Sequence, residues 1–284
     1  MLKNLTQVYH PTTIEDACNY LTKGKAAVIA GGTAEALRKD DSIETLVDIT
    51  GIKELNYLKQ DASNVFIGAT TPIEDIYRSK LSGTSGEFLK KVAGCVAATA
   101  LRNTITAGGN LAAQLWWADL PVAFLVLDAE VVIHTGKPKR TVSVVSVINE
   151  TPSKFLKKGE IFTDIILRQF GDNTGLSYAK QMKTHHDYPT VTVASRITLK
   201  NGKIAEARIA CNAVTSTPFR CQEAEKLLIG KEPTAENIAK AAEKASTSIK
   251  IREDYRASKE YRQEVFKVMV RRSLEESIKA ASSK

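Results

Sequence analysis

Two glycine pairs in the first half of the chain are the residues best suited to close contact with a ligand. Gly31-Gly32 follows an apolar run, and Gly108-Gly109 follows Thr106-Ala107. Glycines let consecutive N–H groups turn toward one anion, and a following helix adds its positive end. Each pair alone is more typical of a plain tight turn, and neither has the spacing of a Rossmann site or a P-loop. Two such loops in one domain favour a nucleotide.

Other reactive side chains predict little chemistry of their own. The four histidines form no nucleophile–base–acid arrangement, so hydrolysis is disfavoured. His185-His186-Asp187 is typical of a surface turn, so we predict no metal site there. Trp116-Trp117 could stack on a flavin or a partner, although core or interface packing is the commoner role of such a pair. The cysteines form no CxxC, which predicts neither zinc nor an iron–sulfur cluster in this chain: Cys18, Cys95, Cys211 and Cys221.

The composition is that of a globular protein. With 284 residues, 43% hydrophobic and 25% charged, the chain is long enough for two cores. No apolar stretch approaches the roughly 20 residues that span a bilayer, and the N-terminus lacks the apolar run of a signal peptide, so we expect a cytoplasmic protein without a membrane span. The net charge of +8 is scattered along the chain. We therefore expect no nucleic-acid binding, but a basic surface facing anionic cofactors or subunits.

Short strands and helices alternate in the part of the chain that must position the glycine pairs. Apolar runs that end at turn signals predict strands at Ala26–Ala30, Thr45–Ile49 and Val65–Ile67. Helical spacing predicts helices at Thr13–Leu21 and Glu87–Ala100. This order favours an α/β or α+β domain.

A polar, turn-prone segment at Asp172–Gly175 is the best candidate for a domain boundary. We place a first domain at residues 1–172, with subdomains at about 1–55 and 56–172, and a second domain at 173–284. Beyond the boundary, Asn201-Gly202 predicts a tight type I′ hairpin between two strands. Helical patterns follow to the end of the chain, so the second domain is a hairpin-bearing sheet backed by helices.

Five short motifs in order along the chain resemble the FAD-binding subunit of the molybdenum hydroxylases, such as the medium subunit of carbon monoxide dehydrogenase and the flavin domain of xanthine dehydrogenase. The likeness covers nearly the whole chain. Its most specific part runs from the third motif, Arg102–Asn110, to the fifth, Leu127–Ala129. The motifs are Ala30–Thr33, Gly68–Thr71 with Glu74–Ile76, Arg102–Asn110, Asp119–Pro121 and Leu127–Ala129. The chain departs from the family pattern at Ala27, Ala107 and Trp116-Trp117.

The resemblance implies an α+β fold. Its first part would be the two-subdomain FAD-binding fold of vanillyl-alcohol oxidase relatives, and its second a CO dehydrogenase flavoprotein C-terminal-like domain of antiparallel sheet plus helices. It also implies an electron-transfer subunit with FAD as cofactor. The expected partners are a molybdopterin-binding large subunit and a [2Fe-2S] small subunit, with an external acceptor such as NAD.

The resemblance further implies which residues hold FAD, and none of them needs a catalytic role. Backbone amides of residues 31 to 35 and 108 to 110 would contact the diphosphate, Thr106 would add a hydroxyl, and Asp119 would bind sugar hydroxyls. Phe162 and Tyr188 would lie near the isoalloxazine, where Lys180 could stabilise the charge of the reduced flavin. The expected site residues are Val28, Ile29, Ala30, Gly31, Gly32, Thr33, Ala34, Glu35, Thr106, Ala107, Gly108, Gly109, Asn110, Asp119, Phe162, Lys180 and Tyr188.

Two other functions stay open from the sequence alone. A cofactor-free assembly or binding module on the same fold is suggested by Ala107 and the tryptophan pair. A free-standing flavin oxidase is disfavoured, because no catalytic base or substrate pocket is signalled. The substrate of the complex cannot be read, since the molybdenum pocket would lie on another chain.

Overall fold

A three-stranded parallel sheet begins the chain. The computed structural model describes residues 2–34, 40–136, 139–150, 152–184 and 187–283. Helix α1 (Ile14–Leu21) packs against the first sheet, and the Thr13 hydroxyl caps it by accepting a hydrogen bond from Asp16 N at 3.1 Å. The strands, in spatial order, are β1 (Gln7–Tyr9), β3 (Thr45–Asp48) and β2 (Ala26–Ile29).

A five-stranded antiparallel sheet follows, and its central strand is its last in sequence. Its strands, in spatial order, are β4 (Leu58–Gln60), β5 (Asn64–Gly68), β8 (Ile161–Arg168), β6 (Glu130–His134) and β7 (Lys139–Ser143). The helices of this part are α2 (Ile73–Tyr77), α3 (Gly83–Gly94), α4 (Thr99–Arg102), α5 (Ala107–Ala113), α6 (Leu120–Val126), α7 (Val144–Asn149) and α8 (Pro152–Phe155).

The helix predicted at residues 87–100 is wrong in its bounds, because the chain breaks between α3 and α4. Ala97 has φ of 36°, a left-handed conformation that interrupts a helix. The Arg102 guanidinium donates hydrogen bonds to the carbonyls of Val96 and Ala97 at 3.1 and 3.0 Å. It also pairs with Glu74 at 2.6 Å. Buried Arg102 therefore satisfies the carbonyls that the break exposes.

The third sheet is antiparallel and contains the predicted hairpin. Asn201 and Gly202 have φ of 52° and 72°, the two positive angles of a type I′ turn, so this prediction is confirmed. The strands, in spatial order, are β12 (Phe219–Arg220), β11 (Lys203–Asn212), β10 (Val191–Lys200) and β9 (Thr174–Gln181). The helices that follow in sequence are α9 (Gln222–Leu228), α10 (Ala235–Thr247) and α11 (Lys259–Ser282).

This sheet lies between α6 on one face and the C-terminal helices on the other. Side chains alternate between the faces of a strand. Accordingly, Val193 belongs to the core that contains α10 and α11, whereas Ala194 and Ala210 belong to the core that contains α6. In the part of the chain that the structure describes, no helix has the length and apolar character needed to cross a membrane.

Three arginines of the third sheet converge on Asp128, just beyond the C-terminal end of α6. Arg208 and Arg220 lie 2.8 and 3.2 Å from its carboxylate. Buried Arg196 lies 2.5 Å away and also 3.2 Å from Glu206. Asp128 itself has φ of 49°. The cluster ties the end of α6 to β10, β11 and β12.

We expect Asp128→Asn to lower the free energy of unfolding by about 3 kcal/mol, the lower end of the effect of breaking a buried ion pair. We expect a loss at the lower end of this range because Asp128 is one-third exposed and because Arg196 retains its ion pair with Glu206. Asparagine tolerates positive φ, so this change removes the charge without adding backbone strain. The urea midpoint measures the effect.

Glu206→Gln is the matched control, because it removes the more exposed partner of the same arginine. We expect a loss of at most about 1 kcal/mol from it. If Asp128→Asn has the same urea midpoint as the parental protein, the cluster does not hold α6 to the third sheet.

Candidate flavin site

A cavity of about 1000 Å³ opens where the three sheets meet. Its walls are mostly apolar, and most of the predicted site residues line it. Two of the predicted residues that the structure describes, Ile29 and Ala107, are absent from its lining. Glu35 lies outside the described residues. The predicted residues that line it are Val28, Ala30, Gly31, Gly32, Thr33, Ala34, Thr106, Gly108, Gly109, Asn110, Asp119, Phe162, Lys180 and Tyr188.

The first glycine pair is required by close packing and by its backbone conformation. A Cβ on Gly31 would lie 1.7 Å from the carbonyl oxygen of Thr104, so the two glycine segments touch backbone to backbone. Gly32 has φ of 71°, which favours glycine. Among the described residues, the amides of Gly31 to Ala34 have no hydrogen-bond acceptor. They are therefore available to an anion in the cavity.

The second glycine pair lies in the first turn of α5, not in a loop as the sequence suggested. Thr106 caps this helix, and its hydroxyl accepts from Gly109 N at 3.2 Å. Gly108 N donates to the Ala69 carbonyl at 2.8 Å, and Asn110 N donates to the Thr106 carbonyl at 2.8 Å. Each of these three amides already donates within the protein, and their contact with a diphosphate stays a prediction.

The glycines of the second pair have a steric role. A Cβ on Gly108 would lie 2.7 Å from the Ala69 side chain and 2.8 Å from the Ala69 carbonyl oxygen. A Cβ on Gly109 would lie 2.7 Å from the hydroxyl oxygen of Thr106, and Gly109 has no positive φ. The pair thus allows α5 to approach β5 closely and keeps the Thr106 hydroxyl accessible.

Asp119 and Lys180 form a buried ion pair in the cavity wall. The Lys180 ammonium lies 3.0 Å from the Asp119 carboxylate and 3.3 Å from the Cys95 carbonyl oxygen. The Tyr178 hydroxyl donates to the other carboxylate oxygen of Asp119. Burial raises the pKa of the Asp119 carboxyl, although Lys180 and Tyr178 both favour the charged form. Burial and the neighbouring Asp119 charge raise the pKa of Tyr178 well above its ordinary value.

Aromatic side chains line the cavity near this ion pair. Phe162 on β8 is buried, whereas Tyr188 is 44% exposed. Trp117 also lines the cavity, and its ring centroid lies 5.0 Å from that of Tyr188. Trp116 contacts both rings but does not line the cavity. His185 and His186, considered above as metal ligands, lie outside the described residues.

Lys157 and Lys158 line the cavity but were not among the predicted site residues. They precede Gly159 and the strand that contains Phe162. Glu160 is paired with Arg140 at 2.7 Å, and its carboxylate accepts from Lys157 N at 2.8 Å. The sequence did contain a signal for these two lysines. They form a basic pair next to a glycine, and the strand that follows contains a predicted flavin contact.

Comparison with known proteins decides the family. Residues 4–168 match the model of the FAD binding domain in molybdopterin dehydrogenase, and residues 177–277 match that of the CO dehydrogenase flavoprotein C-terminal domain. The chain belongs to this family of FAD-binding subunits. The resemblance inferred from the motifs, FAD as the cofactor and the fold class are confirmed, and the chain is a subunit of an oxidoreductase.

Relatives of this flavoprotein are similar along most of their length. The glyceraldehyde dehydrogenase medium chain of Sulfolobus acidocaldarius is 29% identical, with 83% of each chain covered. The xanthine dehydrogenase FAD-binding subunit of Escherichia coli O157:H7 is 28% identical, with 97% of each covered. The structure of carbon monoxide dehydrogenase from Hydrogenophaga pseudoflava, which lacks the Mo-pyranopterin moiety, superposes with a TM-score of 0.91 at 27% identity over 99% of each chain.

We expect Gly31→Ala to weaken FAD binding at least about tenfold, or about 1.4 kcal/mol. The added Cβ would overlap the Thr104 carbonyl, so the loop with the free amides must move away from the second segment. Flavin absorbance per protein after gel filtration measures retention. Melting of the FAD-free proteins reports whether the fold is kept.

Gly51→Ala is the control, because its nearest neighbour would be the Pro11 carbonyl oxygen at an ordinary 3.9 Å. Full flavin retention is expected there. Undiminished FAD affinity in Gly31→Ala would mean that the contact between the two segments does not shape the site.

Proposed function

We propose that this chain carries FAD in a cytoplasmic molybdenum-dependent dehydrogenase, receives electrons from the [2Fe-2S] clusters of a small subunit and passes them to an external acceptor such as NAD. The observation that carries the proposal is one cavity that joins a capping hydroxyl, a buried acid–lysine pair and backbone amides that have no acceptor among the described residues. Bound FAD supplies the redox chemistry, and this chain supplies binding, orientation and electrostatics.

The diphosphate would lie against the first glycine loop. The amides of Gly31 to Ala34 are available as donors, and the Thr106 hydroxyl, which accepts from Gly109 N, keeps its own proton for a ligand oxygen. The cations of Lys157 and Lys158 would offset the two negative charges. The N-terminus of α5 adds its partial positive charge beside the same place.

The isoalloxazine would lie at the end of the cavity that contains Phe162, Tyr188 and the Asp119–Lys180 pair. Phe162 offers a buried apolar face and Tyr188 a half-exposed one. Because Lys180 is neutralised by Asp119, its effect on a reduced flavin depends on whether that carboxyl is charged. Asp119 also keeps lone pairs for a sugar hydroxyl, since each oxygen accepts only one hydrogen bond in the structure.

The names of relatives support an assembly of several subunits. The Paenarthrobacter nicotinovorans relative is subunit alpha of a 6-hydroxypseudooxynicotine dehydrogenase complex, and the Hydrogenophaga pseudoflava relative is the medium chain of carbon monoxide dehydrogenase. A molybdopterin-binding large subunit would oxidise the substrate. The basic surface implied by the net charge of +8 would suit acidic partners.

Purification of the tagged chain from its own cells tests the proposal. We expect extractable FAD at one per chain, two further polypeptides, and molybdenum and iron in the same gel-filtration peak. A chain that purifies without flavin would instead support the cofactor-free assembly module. An active flavin-containing monomer without partners would support the free-standing oxidase.

Lys180→Ala should leave FAD bound but make its reduction potential depend on pH in a new way. Without the ammonium, the pKa of Asp119 rises further, because burial is no longer opposed by the positive charge. Below that pKa the carboxyl is neutral, the site has the net charge of the parental ion pair, and the potential changes little. Above it, an unpaired carboxylate disfavours the negatively charged reduced flavin. We expect a fall of tens of millivolts there, at about 30 mV per 1.4 kcal/mol for two electrons.

Potentiometric titration across a pH series measures this shift. The double variant with Asp119→Asn should remove the pH-dependent part, because no titrating carboxyl remains. A potential in Lys180→Ala that differs from the parent by the same amount at every pH would contradict the role given to Asp119.

A further inference from the structure

The tryptophan pair has no place in the proposed diphosphate and flavin contacts, yet it lies in an unusual aromatic and cationic cluster. Trp116 and Trp117 meet edge to face with centroids 4.8 Å apart. The Arg252 guanidinium lies 3.9 Å from the centre of the Trp116 ring. The Arg256 guanidinium lies 5.2 Å from the Trp116 ring and 5.1 Å from the Tyr188 ring. Two guanidinium groups therefore pack on one aromatic platform.

This cluster has more positive than negative charge. Arg252, Arg256 and Arg262 all pair with one carboxylate, Asp254, at 3.1, 3.4 and 2.6 Å. Arg262 is fully buried and donates to two backbone carbonyls, so its hydrogen bonds are used internally. The Nη1 atom of Arg252 is buried and has no acceptor among the described residues. An anion beside the partly exposed Arg252 and Arg256 side chains would supply the missing charge.

A free aromatic surface lies directly beside these cations. Tyr255 is 87% exposed, and the Arg256 guanidinium lies 4.3 Å from the centre of its ring. Tyr255 directly precedes Arg256 in sequence, so an exposed stacking face and a positive charge lie at the same place. Planar aromatic molecules with a negative group match both features.

The cluster borders the flavin cavity and is held in place. Tyr188 and Trp117 line the cavity, whereas Trp116 and the arginines lie behind and beside them. The Asn212 amide donates to the carbonyls of Leu115 and Ala118 at 3.0 and 2.9 Å, which fixes the loop that carries both tryptophans. A molecule on this platform would therefore adjoin the flavin end of the cavity.

We propose that Arg252, Arg256 and Tyr255, with the Trp116 and Tyr188 rings, form the binding site of a planar aromatic anion that accepts electrons from the flavin. This assignment rests on the proposed function, since the cavity must hold FAD for the platform to serve an acceptor. A suitable ligand has a flat ring and a negative group, as a nucleotide or an anionic dye does. The anionic reduced flavin gives up two electrons and one proton as it is oxidised, and a two-electron dye takes these together with a second proton from water.

The first test measures binding without turnover. The chain has two tryptophans, both in this cluster, so their fluorescence reports on it directly. The FAD-loaded protein is titrated with AMP, with adenosine, which lacks the charge, and with ribose 5-phosphate, which lacks the ring. We expect AMP to bind at least about tenfold more tightly than either, with an affinity that falls as salt screens the charge. Equal affinities for AMP and adenosine would overturn the proposal.

Two variants separate the charge from the ring. Arg256→Gln should reduce AMP binding to the level of adenosine, because the charge-assisted contact is lost. Tyr255→Ala should weaken AMP and adenosine alike, because stacking is lost, and this exposed change leaves the core untouched. Arg271→Gln is the control for lost charge, since Arg271 is exposed about three turns along α11. Parental AMP affinity in Arg256→Gln would refute the site.

The second test links the platform to electron transfer. Flavin reduced with one equivalent of dithionite is mixed without oxygen with anionic dichlorophenolindophenol or cationic phenazine methosulfate, and its reoxidation is followed. Arg256→Gln should slow the anionic dye about tenfold, equal to about 1.4 kcal/mol, and leave the cationic dye unchanged. Equal slowing of both dyes would show general damage and contradict the proposal. Loss of flavin from the parental chain would instead refute the proposed function.

Discussion

Helix α6 is fixed at both ends by carboxylates that pair across the molecule. Asp119 precedes its first residue and pairs with Lys180 on β9, and Asp128 follows its last turn and pairs with Arg196, Arg208 and Arg220. A buried charge that loses its partner costs several kcal/mol, so each pair tolerates little relative movement. The cavity wall and the third sheet therefore take their relative position from one short helix.

The same constraint explains why the flavin site needs residues from both halves of the chain. Lys180 and Tyr188 reach the cavity only when the third sheet is docked, with β10 and β11 on α6 and β9 on α3. The loop before α6 carries the tryptophans, and Asn212 at the end of β11 holds that loop by two carbonyls. Docking of the third sheet thus sets the ion pair, the aromatic wall and the cationic platform together.

Local features could be predicted from the sequence because their causes are local. The Asn201-Gly202 turn follows from positive φ preferences, and α1 begins at a threonine that caps it. The ordered motifs identified the family and its cofactor. The ion pairs could not be predicted in this way, because Asp128 and Arg196 are far apart in sequence and no periodicity joins them. The break after α3 was missed because buried Arg102 stabilises it through tertiary contacts.

The two glycine pairs show that similar sequence motifs can have different structural roles. They look alike in sequence. The amides of Gly31 to Ala34 have no acceptor in the part of the chain that the structure describes, whereas the second pair begins a helix whose first amides already have acceptors. What makes the second pair necessary is the close approach of Gly108 to Ala69, and the contact of Gly31 with Thr104 joins the two segments. A glycine motif is therefore evidence for close packing first. Its role as an anion site depends on which N–H groups the fold leaves without an acceptor.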